Sequence, residues 1–92
     1  MSDGTTRTLK IVNEKGLHAR ASARLVEVVE QHDAAAEVSK DGLSASGDSI
    51  MGLLMLAAAK GSSVQVTTTG PEAEKLADAL ETLVANRFGE EM

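Results

Sequence analysis

The sequence has no cysteine, no tryptophan and no tyrosine, and only one phenylalanine and one proline. Without cysteine there is neither a disulfide framework nor a thiolate metal site. Two histidines do not furnish a structural zinc site, so no metal is expected. A basic surface and stacking aromatics are also missing, and the net charge is −5, which argues against nucleic acid as a partner. The start, Met1-Ser2-Asp3-Gly4, lacks the basic-then-apolar pattern of a secretory signal. No apolar run approaches the roughly 20 residues of a membrane span. The longest, from Ile50 to Ala59, is interrupted by Gly52. A cytoplasmic protein off the membrane is the expectation.

What is present reads as one domain. Ninety-two residues are too few for two. A chain of this size buries about 60% of its unfolded surface or a little more, enough for one modest core. There is no linker, internal repeat or low-complexity tract.

Thr6 to Val12 alternates as a strand does, with Leu9 and Ile11 on one face and Thr8 and Lys10 on the other. Asn13-Glu14-Lys15-Gly16 is a polar break. From Ala19 to Gln31 the period becomes helical, with Ser22, Leu25, Val26 and Val29 on one face. Ala35 to Ser39 is a short strand. Lys40-Asp41-Gly42 is a hairpin signal, because Asp-Gly supplies the positive φ angles of a tight turn. Leu43 to Ser46 is the partner strand. Asp48 or Ser49 caps a following helix over Ile50 to about Leu56. Ser63 to Thr69 is a strand with Val64, Val66 and Thr68 inward. Pro71 is expected at the first position of the last helix, whose apolar stripe runs Ala73, Leu76, Ala77, Leu80, Leu83 and Val84. The order β-α-β-β-α-β-α predicts an α+β, open-faced β-sandwich. Its four-stranded antiparallel sheet has three helices covering one face and a polar, wet second face.

The chemistry concentrates where the first strand hands over to the first helix, at Gly16-Leu17-His18-Ala19-Arg20. Neutral imidazole is a nucleophile. The positive end of a helix disfavours a cation, which keeps the ring neutral, and its free N–H groups bind phosphate oxygens. Arg20 can add charge-assisted hydrogen bonds to the same group. The plainer reading of His18 is a solvent-exposed residue at a helix boundary.

This run resembles the active-site signature of the HPr family, the histidine-containing phosphocarrier proteins of the bacterial phosphotransferase system. A second matching stretch, Ser49-Ile50-Met51-Gly52, stands further on, followed by Ala59-Lys60-Gly61. The resemblance extends from about Thr6 to Phe88. It implies an HPr-like domain over residues 6–88, with flexible ends at 1–5 and 89–92. It implies a phosphoryl carrier rather than an enzyme, without a cofactor. His18 would accept the group on Nδ1 from enzyme I, with phosphoenolpyruvate as its origin, and pass it to an enzyme IIA-type protein. Arg20 would stabilise the phosphate. Where family members commonly have Pro-Ala after the arginine, this chain has Ala21-Ser22, which leaves the helix start less rigidly preset. Leu53-Leu54-Met55-Leu56 and Thr69-Gly70-Pro71-Glu72 look more like the nitrogen-related branch than the sugar branch.

Ser49 has two compatible readings. One is a helix cap. The other, carried by the resemblance, is a regulatory site for an HPr kinase/phosphorylase. Ile50, Met51 and Leu54 are read as a docking patch beside His18, with Arg20, Arg24 and Lys60 around it, against the alternative that this short apolar helix is fully buried. A monomer is expected. The rival functions are a regulatory binding module, whose phosphorylation state controls partner docking, and a structural domain with a chance motif.

Overall fold

The computed structural model describes residues 4–92. Thr5–Lys10 forms β1, which begins one residue before the expected start. Ala19–Glu30 forms α1, Ala35–Lys40 β2, Leu43–Ser46 β3, Ile50–Met55 α2, Ser63–Thr69 β4 and Ala73–Ala85 α3. A final 3-10 turn spans Arg87–Gly89. The strands form one antiparallel sheet in the order β1-β4-β2-β3. The element order matches the expectation. No helix among the described residues is long and apolar enough to cross a membrane.

Register follows from the period-two pattern. Leu9 faces Val64, and Val38 lies between Val66 and Ala45, so one face of the sheet is mostly apolar; at its β1 edge Arg7, opposite Val66, pairs with Asp78 and Glu81 of α3. Thr68 also points inward, and its hydroxyl is satisfied by donating to the Ala73 carbonyl at 2.7 Å. Ala21, Ser22, Leu25, Val26 and Val29 of α1 and Leu76, Ala77, Leu80 and Val84 of α3 cover that face. On the open face Thr6 and Thr67 share a hydroxyl hydrogen bond of 3.1 Å. Between β2 and β3, Asp41 at φ +51° and Gly42 at φ +84° make the expected tight turn.

Two expectations need correction. Pro71 does not open α3. Glu72 is tied instead to the preceding loop: its N–H donates to the Asp33 carbonyl at 3.0 Å, and its carboxylate accepts from the Asp33 N–H at 2.7 Å. Glu72 is therefore the residue before the helix, and Pro71 lies in the turn outside it. The ends also differ. Thr5 pairs with Thr68 in the sheet, while residues 1–3 of the expected flexible start lie outside the described residues. Residues 89–92, expected to be a flexible end, fold back on the chain, with the Met92 carbonyl accepting from the Glu14 N–H at 3.0 Å.

The return of the tail depends on Phe88. Arg87, Phe88 and Gly89 all have left-handed backbones, with φ of +57°, +55° and +81°. That conformation costs roughly 1–2 kcal/mol per residue with a side chain. It drives the chain's only phenyl ring into the core, where Phe88 is 1% exposed. Burial of such a ring contributes about 1.5–3 kcal/mol, which offsets much of the backbone cost. Phe88→Ala is therefore expected to destabilise the fold by about 3–5 kcal/mol in denaturant unfolding, and to remove the protection of the Glu14 amide in hydrogen exchange as the tail detaches.

Candidate functional site

The loop between β1 and α1 is held from two sides. On one side, the Leu17 N–H donates to the Ala58 carbonyl at 2.8 Å, and the Gly61 N–H donates to the Ile11 carbonyl at 2.8 Å. Gly16 presses against this same segment at φ +66°. A Cβ there would come within 2.4 Å of the Ala58 oxygen, so only glycine fits. On the other side, buried Asn13 uses its Nδ2 twice. It donates to the Gly16 carbonyl at 2.8 Å and to Glu90 Oε1 at 3.0 Å.

His18 is the residue before α1, in an extended conformation, and its side chain does not cap the helix. The first helical hydrogen bond runs from the Ser22 N–H to the His18 carbonyl at 2.8 Å. This leaves the N–H groups of Ala19, Arg20 and Ala21 without an intrahelical acceptor. The imidazole is partly exposed, and its Nε2 is in short hydrogen-bond contact with Glu90 Oε2. Nδ1 makes no hydrogen bond among the described residues. His32 contrasts with it: its Nδ1 donates to the Val28 carbonyl at 2.8 Å, at the end of the same helix.

Two clefts meet at His18. One, of about 350 Å³, is lined by Arg20 and Arg24 together with Lys15, Phe88 and Glu90. The Arg24 guanidinium also lies beside Gly89. Neither Arg20 nor Arg24 has an ion-pair partner among the described residues. The second cleft, of about 290 Å³, is lined by Lys15, Leu17, Leu54 and residues 57–59. Ile50, Met51, Ser49 and Lys60 line neither. Ile50 and Met51 are nonetheless exposed, at 39% and 71%, whereas Leu53 and Leu56 are buried, so α2 is not the fully buried helix of the alternative reading. Ser49 is the cap, its Oγ accepting from the Gly52 N–H at 3.1 Å.

The carboxylate of Glu90 feels opposed forces. Burial raises its pKa. The hydrogen bonds from Asn13 and His18 and the charges of His18 and Lys15 outweigh burial, and hold it below the ordinary carboxylate range. Glu90 is therefore an anion at neutral pH and can only accept hydrogen bonds. No group of three or more His, Asp or Glu side chains suited to a metal ion occurs among the described residues.

Two residues of this site escape the sequence reading: Asn13 reads as part of a polar break and Glu90 as part of a flexible end. The side-chain contacts of Glu90 span 77 and 72 residues, to Asn13 and His18, and no local pattern announces them.

The comparisons with known proteins agree with this geometry. A family model described as the PTS HPr component phosphorylation site matches residues 5–86. The phosphocarrier protein HPr of Cupriavidus necator is 45% identical over 84 residues, covering 91% of this chain and 94% of that protein. The phosphocarrier protein NPr of Escherichia coli is 36% identical over 86 residues, covering 92% and 96%. The crystal structure of HPr-C-His from Thermoanaerobacter tengcongensis superposes with a TM-score of 0.90 at 33% identity, covering 96% of this chain and 99% of that one. With its sheet order, its histidine at the helix start and these relatives, the chain belongs to the HPr family of phosphocarrier proteins of the phosphotransferase system.

Proposed function

We propose that this protein carries a phosphoryl group on Nδ1 of His18. It accepts the group from an enzyme I-like donor, with phosphoenolpyruvate as the origin, and delivers it to an enzyme IIA-type acceptor. The single observation behind this reading is the pair of ring nitrogens: Nε2 is occupied by Glu90 and Nδ1 is left without a partner. The protein acts as a phosphorylated substrate of its partners rather than as a turnover catalyst, and works as a cytoplasmic monomer.

The surroundings suit a transient cargo. The helix N–H groups of Ala19, Arg20 and Ala21 and the Arg20 guanidinium offer donors to three phosphate oxygens. One arginine and one helix end stabilise a phosphoryl group only moderately, so the group can leave again. Ala21, in place of the family's proline, is fully buried in the first turn and keeps the helix start packed. Arg24 adds positive charge on the same cleft wall.

Docking is assigned to the exposed edge of α2. Ile50 and Met51, with Leu54 in the cleft beside His18, give an apolar surface, and methionine adapts to more than one partner. Arg20 and Arg24 on the adjoining cleft at His18, and Lys60 beyond α2, would supply positive charge to a partner on a chain whose net charge is −5. Ser49 precedes Ile50, so phosphorylation there by an HPr kinase/phosphorylase would put roughly two negative charges on this surface. Repulsion would then weaken docking to an acidic groove. The nitrogen-related branch is supported by the NPr relative, beside an HPr relative of higher identity.

Incubation with enzyme I and phosphoenolpyruvate is expected to add one acid-labile phosphate, read by intact mass, and His18→Ala is expected to abolish it. Uptake by His18→Ala at the wild-type rate would contradict the assignment. Arg20→Ala is expected to slow transfer by about 10-fold or more, the loss of one charge-assisted contact to the moving group, while leaving the fold intact by circular dichroism.

A further inference from the structure

We infer that Glu90 is a positioning residue: held in place by Asn13, it keeps the ring proton of His18 on Nε2 and so frees the Nδ1 lone pair to take and return the phosphoryl group. This rests on the reading of His18 as the acceptor.

The two oxygens of Glu90 are differently engaged. Oε1 accepts from Asn13 Nδ2 at 3.0 Å, and Oε2 faces His18 Nε2. Asn13 Nδ2 is itself fixed as a donor, because it also points at the Gly16 carbonyl at 2.8 Å and a carbonyl can only accept. The chain of donors therefore runs in one direction. Asn13 donates to Glu90, and Glu90, an acceptor on both oxygens, obliges Nε2 to be the donor. A neutral imidazole with its proton on Nε2 has its lone pair on Nδ1. The other charged groups lining the cleft with Glu90 are Lys15, Arg20 and Arg24 and the carboxylates of Glu14 and Glu91. None of these substitutes for it at Nε2.

The same contact serves both directions of transfer. On loading, the Nδ1 lone pair forms the N–P bond while the bond from phosphorus to the donor's nitrogen breaks, and its electron pair leaves with the donor. The Nε2 proton stays where it is. The ring becomes a phosphoimidazolium cation, neutralised by the Glu90 carboxylate. On delivery the N–P bond breaks and its pair returns to Nδ1. The leaving group is then a neutral imidazole rather than an imidazolate. No proton has to enter or leave the site during either step. A carboxylate that orients an imidazole and stabilises its cation plays this part in other nucleophilic sites.

This role makes Glu90→Gln, the nearer substitution in shape, the more harmful one. Asn13 would take the glutamine's oxygen as its acceptor and turn the glutamine NH₂ towards Nε2. Nε2 must then accept, and the ring proton moves to Nδ1, which blocks the nucleophile. Glu90→Ala leaves Nε2 to water and both tautomers populated. The test is ¹⁵N NMR of the His18 ring in the intact chain, followed up to alkaline pH, alongside phosphoryl transfer from enzyme I. Wild type is expected to show a protonated Nε2 and a bare Nδ1, Glu90→Ala a mixture, and Glu90→Gln the reverse of wild type. Transfer is expected to fall in the order wild type, Glu90→Ala, Glu90→Gln, with the last slowed by about 10–100-fold, as for other groups that orient a reactive imidazole. A wild-type ring protonated on Nδ1, or Glu90→Gln faster than Glu90→Ala, would overturn the inference. The ring signals need no phosphate. A chain that shows the expected tautomers but takes up no phosphate therefore contradicts the carrier reading, and leaves the contact established.

Discussion

The hydrogen bond from the Leu17 N–H to the Ala58 carbonyl, 2.8 Å long, fixes the histidine loop against the segment that follows α2. Gly16 lies so close to the same carbonyl that no side chain fits there. Asn13 and Glu90 close the loop from the opposite side. A loop free on either side would let the His18 ring sample many orientations. Held on both, it presents one edge to the tail and leaves the other for an incoming group. The placement of the ring comes here from backbone contacts and one buried amide.

The tail is held by packing more than by charge. Phe88 enters the core through a backbone conformation that residues with side chains rarely adopt, and the burial of the ring makes that conformation tolerable. Gly89 then turns the chain so that Glu90 meets His18 and Met92 meets Glu14. The resulting cleft gathers the cations Lys15, Arg20 and Arg24 with the carboxylates of Glu14, Glu90 and Glu91, of which Glu90 is the one engaged at His18.

The regular elements were legible because each is set by local chemistry. Asp41-Gly42 fixes the hairpin, alternating residues fix β1 and β4, and the stripe from Leu25 to Val29 fixes the buried face of α1. The place of His18 and Arg20 at the start of α1 was legible because the period changes there from strand to helix. What stayed hidden is of three kinds. Proline favours a first helical turn, which predicts Pro71 inside α3, but the contacts of Glu72 with Asp33 hold that stretch outside it. Asn13 and Glu90 act through contacts across most of the chain. The exposed edge of α2 was only partly readable, because a helix that is apolar nearly all round does not say which side it buries. Packing of Leu53 and Leu56 inward leaves Met55 beside Met51 on the surface.

The central claim is that one ring nitrogen is occupied and the other reactive. The most direct test is the position of the phosphate on the ring, read from the phosphorus–nitrogen coupling in ¹⁵N-labelled, phosphorylated protein. The account predicts coupling of phosphorus to Nδ1 of His18, with a proton still on Nε2. Phosphate bonded to Nε2 would contradict it.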